Sequence, residues 1–495
     1  MVNTNGHLSL ELLESAWWPI VLAPDREATQ RVSRSHDFVS THLTGDLPIY
    51  GATTGFGPLV TFTGRATAED QCDNALQHLT AGQGPELPRE VVRATMLARV
   101  WSLSHGLSGI SPTALAALRA ALQADFTPVV PAIGSVGASG DLVPMAYIAQ
   151  CLRGVGKAWV GEEQLPADVA LTEADLEPLA FTGRDALSLV NGTSVTAAAA
   201  GLAAASLRRS YENTLALSAL LADTLGANST FLAPPLLAAF GHSETEQAGA
   251  RQRFWLEGSQ PSGDRPLQEP YSIRCVPQLA GAASSALDWA TTVVLRDLNG
   301  VSDNPLFFPD HELVGHGGNF FGQPSAFAGD LLSMIATQLG NLAERQLDLL
   351  VDPVRNSGLP PMLSPRPGEQ HGVQGVQLVA TATVAAMRRA CVPASIQSLP
   401  TNLHNQDIVP FGTQAALTAF EQARSLRWLQ GSLAVALRQA AHLRPDRALS
   451  PRCSALVRAI SEVVPPLIQD RPLDEDVRAA ADALDVVVTS ELPLA

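Results

Sequence analysis

Between Pro131 and Pro144 the chain runs Gly134-Ser135-Val136-Gly137-Ala138-Ser139-Gly140-Asp141, with a glycine at every third position and only small residues between. Such a segment is sharply bent and nearly free of side chains, because glycine tolerates backbone conformations that other residues avoid. Neither phosphate-binding pattern fits: there is no Gly-Lys followed by Ser or Thr, and no Gly-x-Gly pair. Taken alone, the stretch is either a structural turn or a site in which the backbone itself does chemistry.

The surrounding sequence reads as helices. Leu97, Val100, Leu103 and Leu107 fall three to four apart, as do Leu115, Leu118 and Leu122, and the Gly-rich loop interrupts this pattern before a new helix starts at Leu142. A loop that opens a helix places backbone N–H groups and the positive end of the dipole beside whatever it carries. Residues 155–182 predict a linker or small hairpin. From Ala197 onward small side chains at every turn allow close helix packing, and Leu332, Ile335, Leu339, Leu342, Leu426, Leu429 and Leu433 keep the helical period. The expected fold class is mainly α, a bundle of long helices. Residues 1–45 predict only two or three short helices.

The composition narrows the partner. A formal net charge of -16 and only 16% charged residues argue against nucleic acid or an anionic membrane, leaving a small molecule. The cysteines Cys72, Cys151, Cys275, Cys391 and Cys453 are odd in number and scattered without metal-ligand spacing. They fit buried thiols in a reducing cytoplasm, and no secretory signal is recognised. The longest uncharged run, 186–207, is broken by Asn191-Gly192-Thr193 and makes a poor membrane span.

Polar motifs interrupt the helices: Tyr50-Gly51-Ala52-Thr53-Thr54-Gly55-Phe56-Gly57, Leu189-Val190-Asn191-Gly192-Thr193, Gln268-Glu269-Pro270-Tyr271-Ser272-Ile273-Arg274, Asp303-Asn304-Pro305, Gly317-Gly318-Asn319-Phe320-Phe321 and Asn405-Gln406-Asp407. Helices with such loops converging on one place describe a bundle enzyme better than a binding module. In this order, with the Gly134–Asp141 stretch, the motifs resemble the aromatic amino acid ammonia-lyases and 2,3-aminomutases, from about residue 50 to 412. The Gly-Ser-Ser loop of the related fumarase and aspartase superfamily is not found. A scaffold that has kept the fold and lost chemistry is disfavoured by the joint presence of Tyr50, Ser139, Asn191, Tyr271 and Arg274.

The resemblance implies a prosthetic group, 4-methylidene-imidazol-5-one, formed autocatalytically from Ala138, Ser139 and Gly140, with no metal and no external cofactor. Closing its ring requires the Gly140 nitrogen to reach the Ala138 carbonyl, which small side chains and a bent backbone permit. By the same resemblance Tyr50 is the catalytic base, Asn191 contacts the prosthetic group and the substrate amine, and Tyr271 is a second active-site tyrosine. Arg274 holds the substrate carboxylate, a role to which a bidentate guanidinium is suited. Phe56, Gly57, Leu189, Gln268, Asn319, Phe321 and Gln406 are further candidate substrate contacts. For Tyr50 to act as a tyrosinate, its pKa must be lowered from about 10 by positive charge or hydrogen bonds.

The pair His78-Leu79 resembles the His-Leu of tyrosine lyases, and a histidine can hydrogen-bond a phenol. Ala386 stands seven before Pro393, where many histidine lyases carry glutamate, which disfavours histidine as substrate. Phe321 replaces a histidine common in bacterial members. Thr53-Thr54 and the Pro393–Ser398 stretch resemble bacterial aminomutases, so the replacements fit either a mutase or a pocket for an altered ring, such as a methoxylated one.

The expected activity is elimination of ammonia from tyrosine or a ring-substituted phenylalanine to give an arylacrylate. The alternatives are a 2,3-aminomutase and a histidine ammonia-lyase. The resemblance also implies a homotetramer with shared active sites; the expected localisation is the cytoplasm, and the expected domains are a prosthetic-group domain at 1–190 and a long-helix domain at 191–495.

Overall fold

A computed structural model describes residues 2–3, 6–23, 25–43, 49–51 and 53–491; Ala52 of the tyrosine motif lies outside them. The chain is mainly helical, 60% helix against 7% strand, and its contacts divide it into two compact units. One comprises Met1–Ala205, Ala290–Asp330 and Pro393–Ala419; the other comprises Ser206–Trp289, Leu331–Val392 and Phe420–Ala495. Each unit is thus assembled from three stretches of chain.

In the first unit Leu97, Val100 and Leu103 lie in the helix Arg89–Ser104 and Leu115, Leu118 and Leu122 in Pro112–Gln123, whereas Leu107, expected to continue the first period, lies in the connection between them. The second begins with a local device: Pro112 occupies the first turn, and the Ser111 hydroxyl accepts the Ala114 N–H at 3.1 Å. Thr67 caps Ala68–Leu79 in the same way, through the Asp70 N–H, with Glu69 and Asp70 in the favourable first turn. Within the region expected to be a linker or small hairpin, Lys157–Val160 and Glu163–Pro166 form an antiparallel hairpin whose first strand also pairs with Phe126–Pro128. The Leu142–Leu152 helix follows the Gly-rich loop as expected.

The alanine-rich stretch lies in one helix, Ser194–Leu225, that starts in the first unit and ends in the second. By length and composition alone, the segment Asp185–Leu225 could cross a membrane, but its most apolar window is entirely buried within the protein. The second unit takes its core from long helices: Leu215, Ala248, Val276, Ala280 and Leu342 pack together under Tyr211 and Leu279. Buried amides tie helices whose apolar faces alone would allow sliding. The Gln346 side chain donates to the Ser218 hydroxyl at 2.8 Å and to the Ser272 carbonyl at 2.9 Å, and Gln430 donates to the Ser210 carbonyl and the Thr214 hydroxyl.

A charged cluster sits in the interior of the first unit. Arg184 donates both terminal nitrogens to Asp303, at 3.0 and 2.8 Å, and Arg99 lies 3.6 Å from the same carboxylate. All three side chains are fully buried. Burial lowers the Arg99 pKa to about 10, opposed by Asp303 and reinforced by Arg184. Removing one member strands the others, so Asp303→Ala is expected to cost about 3–5 kcal/mol. Cutting the exposed Arg366–Glu369 pair, 3.2 Å apart, should leave the denaturation midpoint almost unmoved. Comparing the two midpoints checks the contrast.

Candidate active site

The Gly-rich loop is pinned at both ends. Ser135 donates to Asp141 at 2.9 Å and accepts the Gly137 N–H at 3.1 Å, which folds the span between them back on itself. Asp141 is fully buried. Its carboxylate also receives the Thr196 N–H at 2.9 Å, the Thr196 hydroxyl at 3.0 Å and the Thr413 hydroxyl at 2.5 Å. Burial raises its pKa, while the bonds from Thr413, Thr196 and Ser135 pull it down. The loop is thereby tied to the first turns of two long helices, Ser194–Leu225 and Gly412–Leu443.

Within the loop Gly137 and Gly140 take positive φ, 70° and 71°. A Cβ on Gly140 would lie 2.4 Å from the Gly192 nitrogen, so only glycine fits there. The Gly140 N–H donates to the Phe320 carbonyl at 2.9 Å, and the Asp141 N–H donates to the Gly192 carbonyl at 2.8 Å. The Ser139 hydroxyl receives the Gln406 amide at 2.7 Å. Segments 134–141, 191–193, 317–322 and 401–413 therefore meet around Ala138-Ser139-Gly140. A buried, side-chain-poor bend with a glycine cradle fits the prosthetic group implied by the resemblance.

Tyr50 is held by its own loop, its phenolic oxygen accepting the Gly57 N–H at 2.8 Å. The Phe56 ring stands edge-on to Tyr50, with centroids 6.4 Å apart, and at 5.6 Å from the His78 ring. Tyr50, Phe56 and His78 thus form one aromatic row, and Leu79 is the half-buried neighbour that ends the same helix. His78 Nδ1 lies 2.8 Å from the Asn74 carbonyl. A carbonyl can only accept, so Nδ1 carries the proton and a neutral His78 presents Nε2 as an acceptor.

The expected lowering of the Tyr50 pKa is not found: burial raises it above its ordinary value, and the Gly57 N–H and the Arg184 charge only partly oppose that. Desolvation of the phenolate outweighs one N–H and a guanidinium that does not touch it.

Asn191 ends the short helix Asp185–Val190 and is 2% exposed. Its amide donates to the Asn304 carbonyl at 2.8 Å, an oxygen that also receives Arg184 at 2.6 Å. Arg99 binds the Asn191 carbonyl at 3.1 Å and also the Ser188 carbonyl. The Asn191 side-chain oxygen is then left buried with no hydrogen-bond partner among the described residues, a group that ordinarily costs free energy unless a ligand satisfies it. Leu189 is buried, Phe321 half-buried and Asn319 exposed.

Gln268, Tyr271 and Arg274 belong to the second unit. Gln268 is exposed and Tyr271 is 71% exposed. The Arg274 guanidinium lies over the Tyr271 ring at 4.7 Å, and its buried Nε has no hydrogen-bond partner among the described residues. Among the described residues no group of three or more His, Cys, Asp or Glu could hold a metal ion.

Arg99, Arg184, Thr196, Thr401 and Thr413 shape this site, yet nothing in the sequence singles them out. Isolated threonines and arginines, some more than 200 positions from their partners, leave no local pattern. Ser135, Asp141 and Asp303 do lie inside the motifs, and that is the available signal. A direct check of the cradle is Gly140→Ala, whose Cβ meets the Gly192 backbone and whose φ is unfavourable for any side chain. Its midpoint of thermal unfolding should fall by several degrees, whereas Gly161→Ala, with nothing within 4 Å of the added carbon, should lose much less.

The chain matches the family described as aromatic amino acid lyase over residues 10–462. It is 39% identical to a tyrosine ammonia-lyase of Cereibacter sphaeroides, covering 98% of this chain and 97% of the relative. It is 36% identical to a histidine ammonia-lyase of Symbiobacterium thermophilum, covering 94% and 92%. The solved tyrosine aminomutase of Streptomyces globisporus superposes with a TM-score of 0.92 at 29% identity, covering 100% and 99%. With its loops gathered on Ala138-Ser139-Gly140, the chain belongs to the aromatic amino acid lyase family and is a carbon–nitrogen lyase.

Proposed function

We propose that the protein eliminates ammonia from an aromatic L-amino acid carrying a ring hydroxyl, tyrosine or a close relative, to give the trans-arylacrylate. The observation that carries the ring preference is the Tyr50–Phe56–His78 row with His78 Nδ1 committed to Asn74. Nε2 of this exposed side chain is then free to accept a phenolic O–H, for which a bare phenyl ring has no counterpart. The tyrosine ammonia-lyase relative supports the same reading, and Ala386 offers an imidazole ring no carboxylate.

The prosthetic group formed from Ala138, Ser139 and Gly140 would supply an electrophile that takes up the substrate amine and turns it into a leaving group. The chain's own residues do the rest. Asn191 Oδ1, lacking a partner among the described residues, accepts from the substrate amine. Arg274 holds the carboxylate, beside Tyr271. Tyr50 removes the β proton, its oxygen kept in place by the Gly57 N–H. Gln268, Asn319 and Gln406 add polar contacts, and Phe56, Gly57, Leu79, Leu189 and Phe321 enclose the ring. The working protein is a homotetramer in the cytoplasm, in which Tyr50 and Tyr271 of one site come from different chains. The 1–190 stretch carries the prosthetic group and 191–495 supplies the long helices. A 2,3-aminomutase acting on the same substrate is the second reading, favoured by the likeness to the tyrosine aminomutase structure.

Incubation with L-tyrosine, L-phenylalanine and L-histidine, followed by separation of the products, tests this. Arylacrylate from tyrosine is the expected outcome; accumulation of a β-amino acid selects the mutase, and turnover of histidine alone overturns the ring assignment. His78→Phe should shift the ratio of kcat/KM for tyrosine against phenylalanine by up to about tenfold toward phenylalanine, the effect of one lost hydrogen bond to the ring hydroxyl. Tyr50→Phe should lower kcat by about 10²- to 10⁴-fold. Because burial holds the Tyr50 phenol protonated, kcat/KM of the unaltered enzyme should rise with pH through the neutral range, and Tyr50→Phe should lose the part of that slope due to the phenol.

A further inference from the structure

Gln406 has a partner before any substrate arrives. Its amide donates to the Ser139 hydroxyl at 2.7 Å, and its side-chain carbonyl receives the Thr401 hydroxyl at 2.5 Å. Thr401 and Gln406 also exchange backbone hydrogen bonds, at 2.9 and 3.3 Å, closing the loop between them. Inside that loop Asn402, Leu403 and His404 all take positive φ, 51°, 53° and 63°, conformations that cost non-glycine residues free energy and persist only where the surroundings impose them. Leu403 is 84% exposed, so apolar burial does not hold the loop shut. Its two ends do, and they fix the Gln406 amide with its N–H on Ser139 Oγ.

Resting on the reading that Ala138-Ser139-Gly140 cyclises, we propose that Gln406, positioned by Thr401, assists the dehydration of Ser139 and so acts in maturation as well as in substrate binding. In that step the Ser139 Cα–H bond breaks and its electron pair forms the Cα=Cβ bond. The Cβ–Oγ bond breaks, Oγ keeps that pair, and the proton and hydroxide leave as one water; no oxidant or reductant is consumed. Negative charge grows on Oγ, the atom to which the Gln406 N–H already donates, and a fixed donor at a developing anion lowers the barrier. Once Oγ has left, the same N–H is released for substrate. Thr401 does not touch the reacting atoms; it fixes which end of the amide faces them.

The experiment follows newly synthesised chains by intact mass and near-ultraviolet absorbance, neither of which needs turnover. The unaltered chain should lose the mass of two waters and gain absorbance. Gln406→Leu and Thr401→Val should do so about three- to tenfold more slowly, the effect of one hydrogen bond. Thr401→Ser, which keeps the hydroxyl, should mature at the normal rate. Circular dichroism identifies chains that have folded, and rates are compared among those. Equal rates in the unaltered, Gln406→Leu and Thr401→Val chains overturn the proposal and leave the lyase reading standing. An equally slow Thr401→Ser overturns the role given to the Thr401 hydroxyl. If the unaltered chain loses no water, the cyclisation reading itself fails.

Discussion

The Asp141 carboxylate is the point on which the site depends. It is fully buried, and an ionised carboxylate in a protein interior is costly unless hydrogen bonds replace its hydration. Here the replacements come from three directions: Ser135 from the loop itself, Thr196 from the start of Ser194–Leu225, and Thr413 from the start of Gly412–Leu443. Each bond that lowers the cost of the buried charge also fixes a piece of chain. The result is a loop whose ends cannot move independently of two long helices, so a bend of small residues with little contact area of its own has a defined shape.

The Arg99–Arg184–Asp303 cluster does the same for the neighbouring wall. Its charges balance imperfectly, two guanidinium groups against one carboxylate, and most of the surplus donors go to backbone carbonyls, while Arg184 Nε has no partner among the described residues. Ser108, Ser188, Asn191, Ser302 and Asn304 supply those oxygens. Through the Asn304 carbonyl the cluster reaches the Asn191 amide and decides which end of that amide is tied down. The unpartnered oxygen that results is a consequence of ion-pair geometry in the interior.

Much of this is legible in the chain. Periodic leucines mark the helices between Ala68 and Ala124, the spacing of glycines marks the bend at 134–141, and the ordered motifs point to Tyr50, Ser139, Asn191 and Gln406. The supporting residues are not legible. Thr196 and Thr413 are separated from Asp141 by 55 and 272 positions, and a lone threonine near a helix start looks like any capping residue. Asp303 stands in a recognisable motif, yet its role as the counter-charge of two arginines depends on Arg184 and Arg99, far earlier in the chain. The Tyr50 pKa departs from expectation for a related reason: a motif says which groups are near a phenol, but desolvation depends on everything packed around it.

By itself the sequence determined the fold class, the position of the bend and the residue types available for chemistry, because periodicity, glycine spacing and motif order are properties of local chain. Only the tertiary structure decided which end of the Asn191 amide is left unpaired, which nitrogen of His78 remains available, and that the Ser139 hydroxyl rests on Gln406. Those outcomes are set by hydrogen-bond geometry that the chain acquires on folding, since a donor gains its direction only when the acceptor has been brought to it.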